Sequence, residues 1–204
     1  MTVIEKGVYR GRKEAVRLNG GTHAALGLGA GVVAASTMQP ELPTIFLVTA
    51  GVVSALIPDL DEEKSMIYNY TMKKVDLRMR RPLVGLIGIV LLFFSALELS
   101  HGFLLAGAYF LGVSIFRHRT FSHSLLGLVM MTGFAHEVNP DLTAAVFLGY
   151  LSHLLADSLT IQGIPWLWPY PRRYRMARIQ TGSLSDHMIG LVALFLALAG
   201  WASL

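Results

Sequence analysis

Histidines and acidic residues recur in this 204-residue chain at spacings that set imidazole beside carboxylate. His153 and Asp157 stand four apart within an apolar stretch, so on a helix they share one face with Cβ atoms about 6 Å apart. Asp59-x-Asp61 closes one apolar run, His23 begins another, His118 and His123 bracket a short polar segment, and Asp186-His187 opens the last run. Polar groups in such places are costly unless paired, hydrated or bound to metal, so their recurrence calls for one joint explanation. Neutral imidazole with carboxylate suits zinc, manganese or iron, and the Asp59-x-Asp61 pair has the form of an element that bridges two ions. Two ions about 4 Å apart can polarise a phosphoryl oxygen, activate water and stabilise a leaving oxygen without a protein nucleophile. The chain has no cysteine, which excludes disulfides, thiolate ligands and a Cys nucleophile.

The expected metal ligands are His23, Asp59, Asp61, His118, His123, His153 and Asp157. That is more than four donors, which favours a dinuclear site; any residue of the set left over would orient an imidazole or act as general base. Asp61, Arg119 and Asp186 are the candidate catalytic residues, Arg119 to balance substrate charge and Asp186 to bind metal or orient water. Each has an ordinary alternative: a His can satisfy a carbonyl, an acidic pair can be a solvated helix end, and Arg119 can be a topology signal. The Arg172-Arg173-x-Arg175 cluster reads chiefly as topology signal and headgroup contact. His101 and His136 receive no metal role. No Gly-rich phosphate loop or Gly-x-Ser-x-Gly elbow occurs.

The elements that must position these residues are membrane helices. Hydrophobic residues make up 53% of the chain and charged ones 15%, with a mean hydropathy of +0.54, too apolar for a soluble domain of this length. Apolar runs cover Thr22 to Met38, Leu42 to Ile57, Pro82 to Leu97, Leu99 to Phe116, Ser124 to Ala135, Leu142 to Leu159 and Met188 to Leu204. The pattern predicts an all-α, polytopic helical bundle with about five to seven membrane helices, forming one domain over residues 1–204. Glu98 to Gly102 should turn a helical hairpin. Gly27 and Gly31, four apart, favour close helix packing. Trp166, Trp168, Tyr170 and Tyr174 read as an interfacial aromatic belt.

Under this segmentation every Lys and Arg falls at one end of the helices, from Lys6, Arg10, Arg12, Lys13 and Arg17 to Arg178, while the opposite loops carry Glu41, Glu98, Glu137 and Asp141. Cationic loops stay in the cytoplasm, so the N-terminus and the His/Asp residues are expected on the cytoplasmic face of a multi-pass membrane protein. The first twenty residues are charged and carry no secretory apolar core, so the first helix is expected to remain as an anchor. The pI of about 9.5 implies attraction to anionic lipid headgroups rather than to nucleic acid.

At Thr22-His23-x3-Gly27, Ile57-Pro58-Asp59-x-Asp61, His118-Arg119-Thr120-x2-His123-Ser124, His153-x3-Asp157, Gly163-Ile164-Pro165, Trp168-Pro169 and Thr181-Gly182-Ser183, the chain resembles the YdjM-like family. That family comprises inner-membrane proteins predicted to be metal-dependent hydrolases, some of them linked to LexA regulation. In similar proteins an acidic residue, typically Glu, follows the Thr-Gly-Ser element; the shorter Asp186 holds that place here. The resemblance implies inner-membrane location and hydrolysis, with a phosphoester as the candidate substrate class.

The leading expectation is a membrane-bound hydrolase that uses one or two divalent ions, zinc favoured over manganese or iron. It would cleave a phosphoester in a membrane lipid or other amphiphilic substrate with metal-activated water. The alternatives are a metal-ion or proton-coupled transporter, disfavoured by the lack of polar groups toward the far side, and a non-enzymatic membrane adaptor.

Overall fold

A computed structural model describes residues 20–180 and 182–203; the cations from Lys6 to Arg17, and Thr181, lie outside the described residues. Among the described residues there are eight α-helices and no strand. They are α1 (Gly20–Met38), α2 (Thr44–Leu56), α3 (Met66–Thr71), α4 (Leu77–Glu98), α5 (His101–Ile115), α6 (Leu125–Val138), α7 (Leu142–Ser158) and α8 (Leu184–Trp201). A 3-10 turn, Ile57–Asp61, continues α2.

All seven apolar runs became helices, and their ends show why. α4 starts at Leu77, earlier than the apolar run, because Asp76 accepts the Arg78 N–H as an N-cap. The α4–α5 hairpin turns at Leu99, which takes a left-handed φ of 53°, and the Ser100 hydroxyl then caps Phe103 N–H. Ser124 and Ser183 begin α6 and α8 in the same way. The short α3 carries no apolar run and was not expected; the buried Tyr68 ring fixes it, donating its hydroxyl to Leu60 O.

α1 packs against α2, α7 and α8, α2 against α7, and α4, α5, α6 and α7 follow one another in series. The inner seam is built on glycine, as the Gly27/Gly31 spacing predicts. A Cβ at Gly27 would sit 2.5 Å from Gly51 O and 2.7 Å from Ala55 Cβ, and one at Gly149 would strike Gly51 O and Ser54. The helix backbones therefore meet directly.

Three segments, Thr44–Asp61, α4 and α8, are long and apolar enough to cross a membrane; α5, α6 and α7 are apolar but shorter. α4 and α8 present large apolar side chains outward, Ile89 and Phe93 on one, Phe195 and Leu196 on the other, as lipid-facing helices do. The acidic loops meet at one end of the bundle, where Asp141 accepts the N–H groups of Glu41 and Leu42 and Glu137 packs beside Gly102. The described cations gather at the other end. Two of them do more than signal topology. Arg81 reaches the carbonyls of Val113, Ser114 and Phe116 and closes the C-terminus of α5; Arg80 binds those of Glu63 and Met72 over the Tyr68 ring.

The candidate metal centre

Four pieces of chain converge at the basic end: the start of α1, the 3-10 turn, the loop between α5 and α6, and the last turns of α7. Pro58, lacking an N–H, helps end α2 and tightens the chain into the turn that presents Asp59 and Asp61 in different directions. His153 and Asp157 share one face of α7, as their spacing requires, and both are fully buried. His23 stacks flat on His153, with ring centroids 3.9 Å apart.

Six of the expected ligands interlock. His23, Asp59 and His153 form one group of donor atoms within 4.8 Å of one another; Asp59, His118 and His123 form a second; His123, His153 and Asp157 form a third. Shared members join the three, so the cluster offers donor sets for one or two ions. At its centre the Nε2 atoms of His123 and His153 face each other at 3.1 Å. Asp157 Oδ2 lies 3.3 Å from the former, and Asp59 Oδ1 lies 3.8 and 3.9 Å from the two.

The far nitrogens fix how those rings are protonated. His153 Nδ1 must donate to Ala55 O at 2.7 Å, which leaves its Nε2 lone pair pointing inward. His123 Nδ1 lies 2.9 Å from Ser122 Oγ, whose hydroxyl donates in turn to Asp61 Oδ2 at 2.5 Å. Two inward lone pairs at this separation repel unless a cation or a proton lies between them. Burial opposes a charge on His123, yet Asp61, with Asp157 behind it, outweighs burial and lifts the ring to about 9. A divalent ion would take the place of that proton. His23 Nδ1 adds a buried nitrogen with no hydrogen-bond partner among the described residues. These imidazoles and carboxylates fit a divalent transition ion by donor type and by convergence.

Asp61 stands behind the rings rather than among the grouped donors. Its Oδ1 meets His118 Nδ1 at 2.5 Å, and its Oδ2 accepts from Arg119 N–H and the Ser122 hydroxyl. A carboxylate so placed fixes ring orientation and raises ligand basicity. Arg119, buried and held at a φ of 57°, sends its guanidinium to Asp157 and Thr160, so its charge is spent inside the cluster. Asp186 is fully buried at the start of α8, accepting from the Thr22 hydroxyl and Gly182 N–H; it lies beside the cluster through His23's neighbour and outside the three donor groups. His101 and His136 are exposed at the opposite end. The cluster opens at Asp59 and His118, whose side chains are 21% and 34% exposed against 0% for His123 and His153.

Several supporting residues carry no sequence signal. Tyr109 and Tyr150 are buried with their hydroxyls 2.9 Å apart, and Tyr150 donates to Ser122 O at 2.5 Å, pinning the loop that bears His123. The aromatic belt is corrected in part. Trp168 packs on Phe116 and Phe121, with centroids 4.7 and 5.3 Å away, and Trp166 donates to Ser158 Oγ. Trp168 thus braces the loop through its Phe116 and Phe121 rings, and Trp166 ties the segment to the end of α7; Tyr170 remains exposed.

The model of the family described as YdjM inner membrane protein matches residues 18–203. Over 79 residues the chain is 39% identical to a Bacillus subtilis protein described as uncharacterized protein YvsG, covering 37% of this chain and 49% of that one. It is 41% identical over 68 residues to the inner membrane proteins YdjM of Escherichia coli and Shigella flexneri, covering 30% of this chain and 35% of theirs. The matched stretch thus spans half or less of these relatives. No solved structure matches the chain.

Proposed function

Because the chain belongs to the YdjM inner membrane protein family, we propose that its buried His/Asp cluster makes this membrane protein a metal-dependent hydrolase. The reading is of one catalytic domain, with the cluster facing the cytoplasm by the positive-inside rule. The observation that carries it is the pair of inward-facing Nε2 atoms of His123 and His153 at 3.1 Å, each with its Nδ1 engaged and with carboxylate oxygens of Asp59 and Asp157 beside them. His23, Asp59, His118, His123, His153 and Asp157 would hold one or two ions, zinc before manganese or iron. Bound there, a divalent ion supplies Lewis acidity toward a phosphoryl oxygen and lowers the pKa of water.

The chain's own residues do the rest. Asp61 orients His118 and His123, Arg119 offsets the negative charge of Asp157, and the Asp186–Thr22 bond fixes the entry of α1 that carries His23. Asp59 and His118 line the opening through which a substrate phosphoester would arrive. The level of the cluster, at the helix ends of an apolar bundle, matches the depth of a lipid headgroup, so an amphiphilic substrate is favoured. Metal-loaded protein is expected to hydrolyse at least one member of a panel of phospholipids, prenyl phosphates and small phosphodiesters. Chelation should abolish turnover, and one divalent ion should restore it in the wild type but not in His153→Ala. Metal uptake into liposomes with no hydrolysis across the panel would contradict the proposal in favour of a carrier.

A further inference from the structure

A second feature lies on the other side of α7 from the cluster's core. Leu26 of α1, Ser152 and Leu155 of α7, Leu159 just past the end of α7, Ile179 in the loop before α8 and Ile189 of α8 line an apolar groove of about 180 Å³. Its walls adjoin the cluster, since Thr22 and Ala156 also line it and are the sequence neighbours of His23 and Asp157. The groove has a direction. From Leu159 back to Ser152 it follows α7 for about 10 Å at the helical rise, away from the basic end and toward the middle of the bundle.

At its basic end the groove meets a different kind of surface. The segment 175–179 lies along the end of α7, with Met176 N–H bonded to Ser158 O and Ile179 N–H to Leu159 O. Ile179 thus faces the groove, and the residues that precede it in the chain, Arg175, Met176, Ala177 and Arg178, line a depression of about 330 Å³. Arg175 and Arg178 are exposed, and neither forms an ion pair with a carboxylate among the described residues. Arg175 gives one Nη1 donor to Ile161 O and keeps its others, so with Arg178 it sets two guanidinium groups without a carboxylate partner at the level of the helix ends, beside an apolar slot running inward, the charge and polarity order of an anionic amphiphile. Arginine suits phosphate in particular.

We propose that this groove is a binding site for one anionic phospholipid, with the first part of an acyl chain between α1, α7 and α8 and the headgroup phosphate on Arg175 and Arg178. The site does not depend on the hydrolase reading and is tested with the chelated protein, where turnover plays no part. In native mass spectrometry of the full chain, phosphatidylglycerol should bind more tightly than phosphatidylcholine with the same acyl chains. Two arginines near a headgroup lead to an expected preference of roughly tenfold or more. The Arg175→Gln/Arg178→Gln variant should bind both lipids alike. Ser152→Phe, which projects a ring into the slot, should weaken phosphatidylglycerol binding by a similar factor; if that variant does not fold, Leu155→Trp at the groove's exposed edge takes its place. Equal binding of the two lipids by the wild type, a preference that survives loss of both arginines, or unchanged affinity in the groove-filling variant would each overturn the assignment.

Discussion

Gly51→Leu should yield no folded, monodisperse protein, and Gly51→Ala should lower the melting temperature by several degrees. A Cβ at Gly51 meets Gly27 O, Gly31 N at 2.8 Å and Gly31 Cα at 3.0 Å, all of them backbone atoms that cannot rotate away. Overpacking of this kind costs about 1–3 kcal/mol for a single methyl group, and each kcal/mol lowers the melting temperature by roughly 2–4 °C in a domain of this size. The damage should reach the metal centre. α2 runs straight into the turn that holds Asp59, α1 carries His23 in its first turn, and Gly149 packs on Gly51 one turn before His153. Spreading these helices separates donors that now lie within 4.8 Å. Gly29→Ala is the matched control, because its added methyl would meet only Ala197 Cβ at 3.8 Å. Thermal unfolding followed by size-exclusion chromatography checks both variants. Equal stability of Gly51→Ala and Gly29→Ala would mean that the seam is looser than the backbone distances require.

Asp61→Asn should keep the fold and weaken metal binding by about 10- to 100-fold, the usual effect of removing a carboxylate behind metal-bound histidines. Asp61 receives His118 Nδ1, Arg119 N–H and the Ser122 hydroxyl on its two oxygens. An amide can accept at only one of those positions and turns a donor toward the other. The Ser122 link to His123 Nδ1, or the His118 contact, is then broken, and the ring concerned is free to rotate or to change tautomer. Titration with a chromophoric competitor measures the loss, and far-ultraviolet circular dichroism reports the fold. Wild-type affinity in Asp61→Asn would remove Asp61 from any orienting role.

The legible part of this protein is the part written in period and spacing. Each apolar run became a helix because burying or solvating the backbone in lipid leaves no other local solution. The Glu98 to Gly102 break became a hairpin turn, although it is Leu99 that takes the left-handed conformation and Ser100 that caps. His153-x3-Asp157 placed two polar groups on one face of α7 before any packing was known. What the sequence does not show is how the ligands are held. Ser122, Thr160 and the Tyr109–Tyr150 pair act through contacts between residues 28 to 61 positions apart, and such contacts leave no local period. Arg80 and Arg81 look like any other cations at a membrane face until the carbonyls they bind are known. Trp168 has the composition of an interfacial belt and the position of a brace, and only the neighbouring Phe116 and Phe121 rings distinguish the two.

The distinction between ligands and their supports is likewise a matter of geometry. Asp59 and Asp61 are two residues apart and chemically identical, yet the 3-10 turn aims Asp59 Oδ1 at the Nε2 atoms of His123 and His153 and Asp61 at the Nδ1 atoms of His118 and His123. Arg119, next to His118, is drawn into the cluster by Asp157.

The most direct measurement is the metal content of protein purified without added metal, determined by elemental analysis for the wild type, His153→Ala/Asp157→Ala and His136→Ala. The wild type and His136→Ala, whose lost imidazole lies at the far end, should carry a transition ion in near-stoichiometric amount, and the double variant should carry little or none while keeping its helical content. Full metal retained by the double variant, or a wild type that binds none after incubation with zinc, manganese or iron, would contradict a metal centre at this cluster.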